Sequence, residues 1–214
     1  MMKPNRVSGV HAIAAIALAG LALLASQARA ETADAQGEGT RTVRQANSSV
    51  QELLREKAEP GSAAEKKLAS QVTTRVRDFL DIDMLGQRSL RDHWEKLGAA
   101  DRREFLKLLR ELVEGNYIRA LRSNIAYEVK YLGEAPQGEQ LLVKTEVVAQ
   151  RRGRPHSIAI DYVLTRDGKA WRAFDVVTDG VGLVDNYRAQ FNKIIARDGF
   201  SGLLDRMRKK RAKM

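Results

Sequence analysis

Asp175 is the residue of this sequence whose type and position most suggest chemistry. It lies in a strand-like alternation of apolar residues, shares a strand face with Ala173 and Val177, and is followed by a glycine turn. A carboxyl group that is partly buried in such a place can act as a general base, because burial raises its pKa. Tyr162 or Tyr187 beside it would complete the site of an α+β enzyme.

A structural role for Asp175 is the alternative, and the rest of the sequence favours it. The carboxylate would pair with an arginine such as Arg188 or cap a backbone turn. The chain has no cysteine, and it contains neither a Gly-x-Ser-x-Gly elbow nor a phosphate-binding glycine loop. His93 and His156 lack a second histidine or a carboxylate at metal-ligand spacing. The sequence therefore predicts no catalytic residue, no metal and no cofactor.

Residues 1–30 carry the pattern of a cleaved secretory signal peptide. Lys3 and Arg6 form a positive start, residues 10–25 are almost uninterruptedly apolar, and Ala28-Arg29-Ala30 is a small-x-small cleavage site. The apolar run is too short for a comfortable membrane span of roughly 20 residues. We therefore expect cleavage after Ala30 and export from the cytoplasm.

The exported part is predicted to be a single domain. Residues 31–41 are polar and lack an apolar period, which is typical of a disordered leader. Residues 42–214 contain no internal repeat and no domain-sized linker, and their length suffices for one hydrophobic core. The net charge of +10 and the sequence pI of about 10.0 suggest an anionic partner. Export argues against nucleic acid as that partner.

Apolar periodicity divides the domain into helices, then strands, then a last helix. Helical spacing recurs in five segments, which are residues 43–54, 68–80, 84–97, 105–121 and 183–195. A capping box at Ser62 to Glu65 precedes the second of them. Period-two alternation recurs in four segments, near residues 125–131, 141–147, 158–164 and 171–177. We therefore predict an α+β fold: a twisted, four-stranded antiparallel meander covered on one face by amphipathic helices.

The C-terminal segment is strongly basic. Six cations follow Leu204, namely Arg206, Arg208, Lys209, Lys210, Arg211 and Lys213. Such a cluster would favour an anionic surface, or the acidic partners of an exported adaptor or chaperone. The alternative, which the sequence slightly favours, is a solvated helix end whose cations interact with the helix dipole.

The segment from Tyr162 to Phe191 resembles the C-terminal signature of the MlaC-type periplasmic phospholipid-binding proteins, the toluene-tolerance ABC transporter substrate-binding family. The matching pattern is an Asp-Val-Val strand end, a glycine turn, a Leu-Val pair, Asn186-Tyr187-Arg188 and Phe191. Similarity extends more weakly from Val72 to Met207. Gly182 departs from the serine that many members carry at that place.

The resemblance implies a soluble periplasmic carrier that holds a phospholipid by its acyl chains in an apolar cavity. It would shuttle lipid between an inner-membrane MCE-type ABC transporter complex and an outer-membrane lipoprotein–porin complex, which serves outer-membrane lipid asymmetry. It implies no catalysis and no cofactor. A carrier of another lipid, such as a hopanoid, is consistent with the same residues.

We place the acyl slot between the sheet and the helices. The candidate lining residues are Val113, Tyr117, Val147, Tyr162, Phe174, Val176, Val181, Tyr187 and Phe191. For each of them, packing in an ordinary core is the alternative. Arg188, and less securely Arg151 and Arg152, are candidates for the head-group phosphate, because a guanidinium binds phosphate through two donors. The alternative for Arg188 is a structural pair with Asp175 or Asp185.

Overall fold

The computed structural model describes residues 37–56, 58–121, 127–151 and 154–214. The predicted signal peptide and most of the predicted leader lie outside these residues. The helices are α1 (Glu38–Arg55), α2 (Ala63–Phe79), α3 (Ile82–Leu90), α4 (Ala99–Leu121) and α5 (Leu183–Arg211), with a 3-10 helix at Arg91–Lys96. The strands are β1 (Tyr127–Gln137), β2 (Gln140–Arg151), β3 (Arg154–Asp167), β4 (Ala170–Thr178) and β5 (Val181–Gly182).

Helix α1 begins at Glu38, within the segment that was predicted to be a disordered leader. Thr40 is fully buried there, and its amide donates to a carboxylate oxygen of Glu134 on β1 at 2.6 Å. Glu38 forms an ion pair with Arg166 of β3 at 3.0 Å. These polar contacts between distant parts of the chain order the first turn, and a search for apolar periodicity does not detect them.

The capping box that precedes α2 is present in a modified form. The Ser62 hydroxyl accepts from the Glu65 amide at 3.1 Å, as predicted. The Glu65 carboxylate reaches back to the amide of Gly61 at 2.7 Å. Two amides at the start of the helix are thus satisfied by side chains, which fixes where α2 begins.

The single helix predicted over residues 84–97 is divided in the structure. Arg91 adopts a positive φ of 43° at the C-terminal cap of α3, and the chain continues as the 3-10 helix. Trp94 of that helix is held from outside, because Arg102 donates to its carbonyl at 3.0 Å and lies 5.0 Å from its ring centroid. The period of the apolar residues hides this break, since they remain on one side.

The sheet is an antiparallel meander in which each strand pairs with its neighbour in sequence, in the order β1-β2-β3-β4-β5. The predicted tight turn at Asp167-Gly168 is confirmed: Asp167 pairs with Ala170, and Gly168 has a φ of 60°. The prediction of four strands missed β5, a two-residue strand that pairs with the end of β4. It was missed because two residues cannot show an alternation.

The predicted α+β class is confirmed, and the core lies where the helices meet one face of the sheet. Phe79 of α2 packs edge-on against Tyr162 of β3, with ring centroids 5.7 Å apart. Phe105 of α4 packs edge-on against Phe191 of α5 at 5.5 Å. Leu80 extends the contact by bridging to Ala173 of β4. In the described residues, we find no helix that is both long and apolar enough to span a bilayer.

Candidate functional site

The helix-facing surface of the sheet has one half that the helices close. Val143, Thr145 and Leu164 are fully buried there, and Tyr162 is 9% exposed. Val143 lies directly opposite Tyr162 in the β2–β3 ladder, so these residues share one face. This closed half is part of the hydrophobic core.

The other half of the same face is apolar but only half-covered. It consists of five half-buried residues, which we call the apolar strip: Tyr127, Val129, Val147, Ile158 and Ile160. Val147 lies opposite Val129 on one side and opposite Ile158 on the other, so the strip crosses three strands. Side chains on alternate positions of a strand share a face, so the strip continues directly from Val143 and Tyr162.

Polar groups mark the boundary between the two halves. Asn47 of α1 donates to the Tyr131 hydroxyl at 3.3 Å and accepts from the Tyr162 hydroxyl at 3.4 Å. The guanidinium of Arg44 lies 4.2 Å from the centroid of the Tyr131 ring, at a distance that suits a cation–π contact. Asn47 is not among the predicted site residues, although its place four residues after Val43 puts a polar residue on the apolar stripe of α1.

Side chains take part in the β2–β3 pairing at the same boundary. The Thr145 hydroxyl donates to the Ile160 carbonyl, and the Thr145 amide donates to the Asp161 carboxylate at 3.3 Å. Side chains thus take over backbone hydrogen bonding in the step between Val143 and Glu146.

The predicted lining residues fall into separate groups. Tyr162 and Val176 are paired across β3 and β4 and are almost fully buried, whereas Val147 belongs to the apolar strip. Val181 of β5 is 58% exposed and lies at the end of the sheet. The side chains of Tyr117 and Arg151 and the whole of Arg152 lie outside the described part of the structure.

The remaining predicted lining residues are packed among helices. Tyr187 stacks on Phe191 with ring centroids 5.3 Å apart, and Phe191 in turn meets Phe105 of α4. Phe174 lies 4.6 Å from the Arg88 guanidinium and is 5% exposed. Val113 of α4 is buried as well. The structure therefore packs Tyr187 and Phe191 against α4 and Phe174 of β4 against α3, and none of these residues lies on the apolar strip.

Arg188 is engaged by the protein itself. Its Nη1 donates to Asp185 at 2.5 Å, and its Nη2 donates to the carbonyl of Arg88 at 3.0 Å. Among the described residues its buried Nε has no hydrogen-bond partner. Of the two structural partners that the sequence suggested, the structure selects Asp185 over Asp175.

Asp175 caps the turn that leads into α5. Its Oδ1 accepts from the amide of Val176 at 2.9 Å and from the amide of Val184 at 3.1 Å. Burial raises the pKa of the Asp175 carboxyl above its ordinary value of 3.8, and these amide hydrogen bonds oppose the rise. A Cβ on Gly182 would approach Asp175 Oδ2 to 2.8 Å, so this chain keeps the carboxylate where a larger residue would displace it.

This geometry favours the structural interpretation of Asp175. Oδ1 of the carboxylate accepts from two backbone amides, which is the contact pattern of a side chain that holds a turn. The Tyr187 hydroxyl belongs to a ring that stacks on Phe191, and burial raises the pKa of Tyr187. The Tyr162 hydroxyl donates to Asn47 of α1 at 3.4 Å. Both tyrosines that could have accompanied a catalytic Asp175 are thus engaged in other packing or polar contacts.

Two pockets of the described surface are lined mainly by charged residues. One, of about 410 Å³, lies between α4 and the end of α5 and is lined by Ala100, Arg103, Glu104, Lys107, Leu108, Arg208 and Arg211. The other, of about 120 Å³, is lined by Arg77, Leu80, Asp81, Ile82, Asp83, Arg110 and Arg172. Neither has the apolar lining that hydrocarbon requires.

Comparison with known proteins gives one family for the greater part of the chain. The family described as MlaC protein matches residues 44–209. A curated relative, the "Intermembrane phospholipid transport system binding protein MlaC" of Haemophilus influenzae, is 20% identical over 131 residues. That alignment covers 60% of this chain and 61% of the relative, so the chain spans about three fifths of the curated relative's length.

A solved structure shares the fold. It is the phospholipid-binding protein from Ralstonia solanacearum in complex with a phospholipid, with a TM-score of 0.69 and 21% sequence identity. The superposition covers 83% of this chain and 98% of that one. At this identity the likeness establishes a common architecture of helices and antiparallel sheet.

Proposed function

Because the chain belongs to the MlaC family, we propose that it is a periplasmic carrier that binds a phospholipid by its acyl chains. In this proposal it takes lipid from, or gives it to, an MCE-type ABC transporter complex at the inner membrane and a lipoprotein–porin complex at the outer membrane. The H. influenzae relative is named for intermembrane phospholipid transport, and the R. solanacearum protein of the same fold holds a phospholipid. Both names support lipid as the ligand class.

The observation that carries the proposal is the apolar strip. A protein whose core were complete would cover Val129, Val147 and Ile158 as fully as Val143, yet they are only half-buried. Each methylene of an acyl chain gains about 0.8 kcal/mol on leaving water, so a two-chain lipid cannot cross an aqueous space uncovered. In our proposal the hydrocarbon lies along the strip and completes the core there.

Each predicted site residue takes its proposed role from its position relative to the apolar strip. Val147 would contact the acyl chains directly, with Tyr162 and Val176 at the closed end of the slot. Val113, Tyr117, Phe174, Tyr187 and Phe191 would form walls that part to admit the chains, and Val181 would lie at the rim. Arg188 would meet the head group only by exchanging Asp185 for a phosphate.

Lipid extraction tests the proposal directly. The chain from Glu31 onward, purified without detergent, is extracted with organic solvent, and the extract is analysed by mass spectrometry. Phospholipid in a fixed ratio to protein is the expected result. A hopanoid in its place would correct the lipid class, and an extract free of lipid from a folded protein would contradict the carrier function.

A matched pair of variants locates the site. Val129→Glu combined with Val147→Glu puts two carboxylates on the strip, where ionised groups and hydrocarbon cannot coexist, so co-purified lipid is expected to fall at least about tenfold. Leu132→Glu is the control, because Leu132 is also on β1 and is 50% exposed outside the strip. Loss of lipid from the Leu132 variant, or full retention by the double variant, would place the lipid elsewhere.

A further inference from the structure

A patch of unpaired positive charge lies on the outer side of α4 and the end of α5. We call it the basic surface and define it by Arg103, Lys107, Lys209, Lys210 and Lys213, all of which are exposed. None of the five forms an ion pair within the part of the chain that the structure describes. Their charges therefore remain available to an external partner.

The two helices hold this surface together through a separate set of contacts. Arg208 donates to Glu104 through Nε at 3.0 Å, and Arg211 donates to Glu111 at 3.1 Å. At the chain end, Met214 packs so closely on α4 that a Cβ on Gly115 would meet its Cε at 1.9 Å. The acidic residues of the seam are thus used by Arg208 and Arg211, and the outward cations stay uncompensated.

The arrangement on each helix explains why the unpaired cations point outward. In α4, Phe105 and Leu109 are fully buried, so Arg103 and Lys107 lie on the opposite side of the helix. In α5, Leu203 and Met207 are buried, which places Lys209 away from the core in the same way. Lys213 follows the end of α5 and is exposed. Two outward faces that are joined along a common seam form one continuous positive surface.

We infer that the basic surface binds the anionic face of a phospholipid bilayer. The charge is complementary, and Lys or Arg near an anionic bilayer each contribute enough attraction to raise binding about fivefold. An acidic protein partner is less well supported, because stable protein interfaces place apolar or aromatic residues at their centre. Of the two apolar residues that line the groove between the helices, Ala100 is small, and Leu108 is 2% exposed and cannot serve in that way.

Bilayer binding is a property separate from carrying a lipid, because it determines where the protein is located and not which ligand it holds. The apolar strip lies on the sheet, whereas the basic surface lies on α4 and α5, so different residues serve the two purposes. Attachment through exposed cations is weakened by salt and is reversible. A protein held in this way would stay near the bilayer surface without inserting into it.

Vesicle flotation tests this inference by measuring how much protein binds to vesicles. The chain from Glu31 onward is mixed with vesicles of phosphatidylcholine alone, or of equimolar phosphatidylcholine and phosphatidylglycerol, at low and at high salt. Binding is expected only to the anionic vesicles and only at low salt. Equal binding to both kinds of vesicle, or no binding to either, would overturn the inference.

A charge-matched pair of variants separates the basic surface from net charge. Changing Arg103, Lys107, Lys209 and Lys213 to Gln is expected to lower the partition constant at least about tenfold. The control changes Lys66, Lys67, Lys144 and Lys169 to Gln, which removes the same charge from exposed residues elsewhere. An equal loss in the control, or capture of an acidic protein with no vesicle binding, contradicts the inference.

Lipid extraction from the same variants keeps the two proposals apart. Both are expected to retain the lipid content of the unaltered chain. A protein that binds anionic vesicles but carries no lipid would contradict the carrier function alone. A protein that carries lipid but ignores anionic vesicles would contradict the basic surface alone.

Discussion

The closed and open halves of the helix-facing sheet surface use the same strands and similar residues, yet they differ in cover. Val143 and Val147 lie four positions apart on β2 and face the same side, but the first is fully buried and the second half-buried. Residue type therefore does not distinguish a core position from a candidate binding position here. The two positions differ in burial because the helices cover the sheet fully at Val143 and only partly at Val147.

The largest expected effect comes from deleting side chains at matched positions in the two halves. Leu164→Ala, in the closed half of β3, is expected to lower the free energy of unfolding by about 3 kcal/mol because it leaves a cavity. Ile158→Ala, in the open half of the same strand, should cost about 1 kcal/mol. Urea denaturation measures both values.

Lipid content gives the reverse order for the same two variants. Ile158→Ala should reduce co-purified lipid, whereas folded Leu164→Ala should retain it. If both variants lose equal stability and equal lipid, the distinction between the two halves has no functional meaning.

The next effect concerns the ion pair that joins two helices of the core. Arg77 of α2 binds the buried Glu114 of α4 through two hydrogen bonds, at 2.5 and 2.9 Å. Arg77→Met leaves that carboxylate buried without its partner, and we expect a loss of about 2 kcal/mol in unfolding free energy. The double variant with Glu114→Gln should recover part of the loss, as thermal denaturation of all three proteins would show. Equal loss in the single and double variants would mean that the charge is not the cause.

A smaller effect is expected at Asp175, which caps the turn that leads from the sheet into α5. Asp175→Ala removes the acceptor for two amides and should cost about 1 kcal/mol. Asp175→Asn retains an oxygen acceptor, so it should keep the fold and the bound lipid. If the protein were an enzyme that used this carboxylate as a base, both variants would lose catalytic activity. A carrier would retain its lipid in both variants.

The pH dependence of stability provides an independent check on Asp175. Its folded pKa is raised, chiefly by burial, so the protonated form is favoured in the folded state. That contribution to stability is complete below the unfolded pKa of about 3.9 and is lost as pH rises through the folded pKa. The advantage of Asp175→Asn over the unaltered chain should therefore grow across this interval. A constant difference at all pH values would contradict a raised pKa.

The smallest effect is expected at the boundary between the two halves. Asn47→Leu removes two long hydrogen bonds to tyrosines but fills the same space with apolar atoms, so stability should change by no more than about 0.5 kcal/mol. Lipid content should also stay the same if Asn47 only marks the boundary. A large loss of lipid would mean that the amide participates in binding.

Local sequence signals predicted the meander, the turn at Gly168 and the amino-terminal cap of α2, because each depends on neighbouring residues. Contacts between distant residues were not accessible in this way. Thr40 is buried by Glu134, and Arg188 is bound by the carbonyl of Arg88, a residue far away in the sequence. The partners of such contacts cannot be identified from spacing alone.

The candidate site was only partly predictable for the same reason. Val147 and Ile158 show the alternation of any half-buried strand, so the sequence identified their face but not their cover. Several lining candidates, including Phe191 and Tyr187, satisfy the same apolar pattern but are packed among helices. The exposure of these sheet residues depends on where the covering helices end. The periodicity of the strands does not determine those helix ends.

Gly199 interrupts α5 with a φ of 71° and a ψ of 178°, a conformation that is open almost only to glycine. Before this residue the helix continues from the sheet, and after it a second arm lies along α4. The direction of the whole charged arm is therefore set by the backbone of one residue without a side chain. A methyl group at this position would strain the conformation. Relief of that strain would turn the segment after Gly199 away from α4, although every cation in the sequence would be unchanged.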